Sequence, residues 1–100
     1  MAKVRVIARF AARDGKGDEL RSLLQKMLKP TRLEKGCEYY ELFESNQSGI
    51  FYFNELWTSQ EDLDVHAASS HFREIILGTT IKNLLQEPFE VSLLSEVPVI

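Results

Sequence analysis

Three features of this 100-residue chain predict an α+β fold with four antiparallel strands and helices on one face, in the order βαββαβ. Residues 3–12 alternate apolar and polar side chains. A leucine-rich stripe at helical spacing follows, and then two aromatic-rich runs separated by a short turn. This is the ferredoxin-like plan, expected here as one domain over residues 1–100, since a chain of this length rarely forms more.

Each element has its own justification. In the first strand Val4, Val6, Ala8 and Phe10 fall on one side, and Lys3, Arg5, Ile7 and Arg9 on the other. Arg13-Asp14-Gly15-Lys16-Gly17 is a turn, after which Asp18 is expected to cap a helix. Leu20, Leu23, Leu24, Met27 and Leu28 form the helix's apolar stripe, and Pro30 is expected to kink or end it. Gly36 closes the segment. Strands are predicted over Cys37–Glu44 and Ile50–Trp57, joined by Asn46-Gln47-Ser48-Gly49. Thr58 and Glu61 have capping-box spacing for a second helix, on which Leu63, His66 and Ala67 share a face. Ser69-Ser70 interrupts it, a further helical stretch runs from Phe72 to Leu85, and Phe89–Val97 alternates as a last strand after Pro88.

Composition excludes several functions. A net charge of −3 offers no general attraction for phosphate backbones or anionic lipid, so neither nucleic acid nor membrane is expected as a partner. No apolar run approaches the roughly 18 residues a membrane span needs. The N-terminus alternates charged and apolar residues where a signal peptide carries a continuous apolar stretch. Cys37 is the only cysteine, so no internal disulfide can form. A soluble cytoplasmic protein is the expectation.

The second aromatic run has large residues on both sides: Phe51, Phe53 and Trp57 on one, Ile50, Tyr52 and Leu56 on the other. A sheet apolar on both faces is buried on both faces. In so short a chain, the natural second cover is another copy of the same sheet, which predicts a homodimer.

Metal and cofactor chemistry find little support in the spacing. His66 and His71 would stand about 140° apart on a continuous helix, unlike the i, i+4 pair of a zinc helix. Gly15 and Gly17 form a lone GxG without the rest of a dinucleotide fingerprint, and no serine sits in a nucleophile elbow. The remaining candidates lie between Glu55 and Phe72. Singly they are bland: Trp57 as core, His66 as a hydrogen-bonded structural histidine, His71 as solvated, Glu55 as an edge charge or a buried carboxyl of raised pKa.

Together, Glu55-x-Trp57-x-Ser59, Leu63, His66 and Ser69-x-His71-Phe72 resemble the signature of the antibiotic biosynthesis monooxygenase family. Glu34-Lys35-Gly36-Cys37 followed by Tyr40 resembles its helix-to-strand junction, and the likeness spans nearly the whole chain. The resemblance implies ferredoxin-like units paired into a dimeric α/β barrel, with a pocket between sheet and helices in each subunit. It also implies oxygenation of a small quinol or dihydroxyaromatic substrate by molecular oxygen with no metal and no organic cofactor. His66 would then be the base, His71 a second acid/base or donor, and Glu55 the group that orients a histidine or binds a hydroxyl. Trp57, Phe51, Phe53, Tyr40, Asn54 and Phe72 would contact substrate. Other branches act differently. The haem-degrading branch uses an Asn on its first strand, where this chain has Ile7 and Arg9. An isomerase of a phosphorylated signalling-sugar derivative would need Arg5, Arg9 or Arg32 facing the pocket. A dimeric binding module without turnover is the third reading.

Overall fold

A computed structural model describes residues 2–100. Strand β1 (Val4–Ala11) leads through a turn into α1 (Gly17–Gln25) and the short α2 (Leu28–Arg32). Strands β2 (Cys37–Glu44) and β3 (Ile50–Trp57) form a hairpin. Then come α3 (Gln60–Ala67), a π-helical turn over Phe72–Ile76, α4 (Thr79–Leu84) and β4 (Glu90–Leu94). The sheet order is β2-β3-β1-β4 with every pairing antiparallel, which is the ferredoxin-like arrangement the pattern predicts.

Strand periodicity sorts the side chains. The register sets Val6 opposite Glu55, Ala8 opposite Phe53, and Phe10 opposite Phe51, so one face carries a floor that is apolar but for Glu55. Against it pack Leu20, Leu24 and Met27 of the predicted helical stripe, all fully buried. Burying each such side chain contributes about 1.5–3 kcal/mol. The opposite face presents Ile7, Tyr52, Asn54 and Leu56 at intermediate exposure, with Tyr39 and Phe43 exposed. Phe51, Phe53 and Trp57 therefore belong to the helix-covered core, and any partner sheet would meet the Tyr52 side.

Several boundaries differ from expectation, each for a local reason. Asp18 lies inside the first turn of α1 instead of capping it, where with Glu19 it complements the helix dipole and pairs with Arg21 at 2.7 Å. The first helix breaks before Pro30. Lys26 and Met27 bond three residues back, and Pro30 sits in the first turn of α2, where its missing N–H costs nothing. Ser59, not Thr58, caps α3: its hydroxyl accepts from the Asp62 N–H at 3.2 Å. The stretch 72–85 is split at Gly78, where a Cβ would collide with the Glu74 carbonyl oxygen. Strand β4 ends at Leu94, the partner of Arg5 near the start of β1, and is shorter than Phe89–Val97.

Candidate active site

Between the sheet floor and α3 lies a cavity of about 240 Å³. Its floor is Val6, Ala8, Phe10, Tyr40, Phe53 and Glu55, and its roof comes from α3 and the π turn. Leu63, His66 and Ala67, predicted to share a face, line the roof with Phe72 and Ile76. Phe89, Val91 and Leu93 close the side at the β4 edge. The walls are mostly aromatic and aliphatic, and the charged side chains bordering it, Glu55 and Asp64, are both acidic.

His66 is 2% exposed and held on every side. Its ring lies 4.7 Å from Trp57, 5.2 Å from Phe72 and 5.7 Å from Tyr40, centroid to centroid. Its Nδ1 is 2.6 Å from Glu34 Oε2. A carboxylate can only accept, so this bond places the proton on Nδ1 and leaves Nε2 with its lone pair. Burial pushes the His66 pKa below the ordinary histidine value, partly opposed by the Glu34 charge. The imidazole is thus neutral at pH 7, in the wall of a mainly apolar cavity.

Glu34 was not among the residues expected to act. The turn after α2 carries it, and Gly36 two residues on makes that turn possible. Gly36 has φ +82°, and a Cβ there would collide with the Asp62 carboxylate of α3. The Gly36 carbonyl accepts from the Thr58 N–H at 2.9 Å, tying the turn to the start of α3.

The same Glu34 oxygen lies 2.8 Å from His71 Nε2. Both histidines reach one carboxylate because α3 ends at Ala67 and the chain bends through Ala68–Ser70. The Ser69 hydroxyl donates to the His66 carbonyl at 2.7 Å, and accepts from the Phe72 N–H at 3.3 Å. The angular separation expected for a continuous helix therefore does not apply. His71 does not border the cavity; it braces Glu34 from behind.

Glu34, His66 and His71 are the group of metal-competent side chains among the described residues, with donor atoms within 4.8 Å of one another. Zinc ligands about 2.1 Å from a tetrahedral ion stand about 3.4 Å apart. The separations of 2.6 and 2.8 Å here are those of charge-assisted hydrogen bonds. The trio is a hydrogen-bond network complete in itself.

Glu55 lies on the floor, 5% exposed, with Oε1 accepting from Trp57 Nε1 at 2.9 Å. Burial raises its pKa to about 7, with the Trp57 hydrogen bond pulling the other way. It therefore orients no histidine; that role falls to Glu34. Burial likewise raises the Tyr40 pKa, so the phenol remains a hydrogen-bond donor. The expected contact residues divide. Tyr40, Phe53 and Phe72 border the cavity. Trp57 lies beneath His66 without bordering it, and Phe51 packs in the core under the Arg21 guanidinium, 5.6 Å from its ring centroid. Asn54 is on the other sheet face, where its Oδ1 accepts from Arg5 at 2.9 Å. Strand alternation puts it there with Tyr52 and Leu56.

Fold and site together define a small ferredoxin-like protein with a mainly apolar cavity and a carboxylate-oriented histidine in its wall. Residues 3–76 match the antibiotic biosynthesis monooxygenase family, and the chain belongs to it. "Putative monooxygenase Rv0793" of Mycobacterium tuberculosis is 38% identical over 92 residues, covering 92% of this chain and 89% of that protein. The solved structure of Rv0793 superposes with a TM-score of 0.89, covering 98% of each chain. PA3566 of Pseudomonas aeruginosa, 26% identical, superposes with a TM-score of 0.87 over 98% of this chain and 97% of its own.

Proposed function

We propose that this protein is a cofactor-independent monooxygenase of a small dihydroxyaromatic substrate. The family and the name of the mycobacterial relative support a monooxygenase-like function. The narrower reading rests on one observation: His66, its Nδ1 bound to Glu34, stands in the wall of a mainly apolar cavity. A hydroquinone hydroxyl meeting that nitrogen loses its proton, and the electron-rich anion reacts directly with molecular oxygen. One oxygen atom enters the ring and the other leaves as water, with all four electrons supplied by the substrate. Glu55 and Tyr40 bind the second hydroxyl, and the apolar walls keep water from the anion.

An anionic group fits the cavity at His66 poorly. Arg5 is engaged by Asn54, Arg9 by Glu87 at 2.8 Å, and Arg32 by the Tyr40 carbonyl and Glu41. None of the three borders the cavity, which weighs against the phosphorylated-sugar isomerase. The test is oxygen uptake, above the buffer rate, with 1,4-dihydroxybenzene and 1,4-dihydroxynaphthalene. Uptake unaffected by chelator, with one oxygen atom incorporated per turnover, is the expected result. No uptake with either compound, or uptake only after metal or flavin is added, would overturn the reading.

The active form is proposed to be a homodimer through the sheet face bearing Tyr39, Phe43, Tyr52 and Leu56. Sedimentation at micromolar concentration is expected to give twice the chain mass of 11.5 kDa. Phe43→Asp, at an exposed position that the fold tolerates, is expected to shift the protein to monomer. A wild-type monomer at all concentrations would exclude this arrangement.

A further inference from the structure

We propose that the cavity at His66 is one half of a two-part site. The other half is a second cavity that takes an apolar tail ending in an anionic group, carried by the same substrate. This rests on the reading of the first cavity as the ring site.

The second cavity, of about 590 Å³, lies on the far side of the π turn against α4. Ile76 and Phe89 border both cavities, so these two residues are the partition between them. Ile76 is buried and Phe89 half-buried. Ile76 ends the π turn, a local irregularity of the kind that recurs at functional sites. Phe89 lies outside β4, stacked on Phe10 at a centroid distance of 5.1 Å. In the proposed complex Phe89 rotates off Phe10 and the two spaces join.

Size and charge identify what each half holds. At an interior packing density of about 0.74, the first cavity has room for a two-ring system, on the order of a dozen non-hydrogen atoms. Any longer apolar substituent must leave it. Beyond the partition the walls remain apolar, through Leu77 and Ile81, but the charged rim changes sign. Arg13 and Lys82 stand there, and neither makes an ion pair among the described residues. The Arg13 Nε–H donates to the Leu85 carbonyl at 2.7 Å, which anchors the guanidinium. Glu87, the one carboxylate bordering this cavity, is held by Arg9 at 2.8 Å. One end of the combined site therefore repels an anion and the other attracts it, which fixes the substrate's direction.

The test is calorimetric binding of three probes: 2-naphthol, 2-naphthol with a six-carbon alkyl chain, and the same chain ending in a carboxylate. The alkyl chain is expected to tighten binding about tenfold, and the carboxylate by several-fold more. Leu77→Trp, at a position half-exposed in the wild type, narrows the second cavity and is expected to cut both gains while leaving naphthol affinity unchanged. Lys82→Glu is expected to abolish only the carboxylate gain. Equal affinity for all three probes, or gains undiminished in both variants, would overturn the proposal. Failure of naphthol alone to bind would strike at the ring site instead. The second cavity would then stand if the carboxylated probe still bound and Leu77→Trp weakened it, and fall if that probe did not bind.

Discussion

His66→Gln is expected to slow quinol-dependent oxygen uptake by about 10²–10⁴, the usual cost of removing a general base. Glutamine keeps a donor for Glu34 but has no nitrogen lone pair to offer the substrate, so the hydrogen bond can survive while the chemistry does not. Glu34→Gln separates orientation from proton transfer. Its charge raises the His66 pKa against the effect of burial, so removing it should move the acid limb of the rate profile to lower pH. A smaller rate loss, about tenfold, should accompany the shift. Full uptake from a well-folded His66→Gln protein would remove His66 from the mechanism. An unmoved acid limb in Glu34→Gln would mean that another group sets the limb.

The second large effect concerns stability. Glu55 titrates at about 7 in the folded chain against 4.5 as its ordinary value. Because the folded state holds this proton more tightly than the unfolded one, stability from Glu55 is fully present below about pH 4.5. It is lost progressively as pH rises through about 7. The shift corresponds to about 3 kcal/mol. Denaturant unfolding of the wild type at pH 4.5, 6 and 8 should show that decline, over and above the contributions of other groups. Glu55→Gln keeps an acceptor for Trp57 Nε1, carries no charge to desolvate, and should be more stable than wild type at pH 8. Parallel stability profiles for the two proteins would show that Glu55 is not the source of the decline.

Strand alternation made much of this legible in advance. The bounds Cys37–Glu44 and Ile50–Trp57 agree with the structure, and so does the inward set Val6, Ala8 and Phe10. The same alternation places Asn54 with Tyr52 and away from Phe53, so parity alone excludes it from the cavity. Other features were beyond local pattern. The network around His66 depends on Glu34, 32 positions away in the chain, and on a bend at Ser69 that carries His71 back over it. Helical spacing assumes an unbroken helix, so it separated the two histidines that the bend brings together. Glu34 left one trace, its place just before the Gly36-Cys37 turn, but nothing local told what it would touch. The one-residue error at the α3 cap is of another kind: Thr58 and Ser59 are both competent caps, and the extended backbone of Ser59 decides between them.

The strand that closes the cavity is also the least protected strand of the sheet. All five residues of β4 are exposed, it pairs only with β1, and Val91 and Leu93 form part of the cavity wall. Such an edge opens by local unfolding well below the cost of global unfolding, and each opening removes the wall. Occupancy of the cavity and fraying of β4 are therefore two faces of one equilibrium. A ligand seated against Val91 and Leu93 suppresses the open state in proportion to how tightly it is held, and a substitution that loosens the edge weakens that ligand once the open state is appreciably populated.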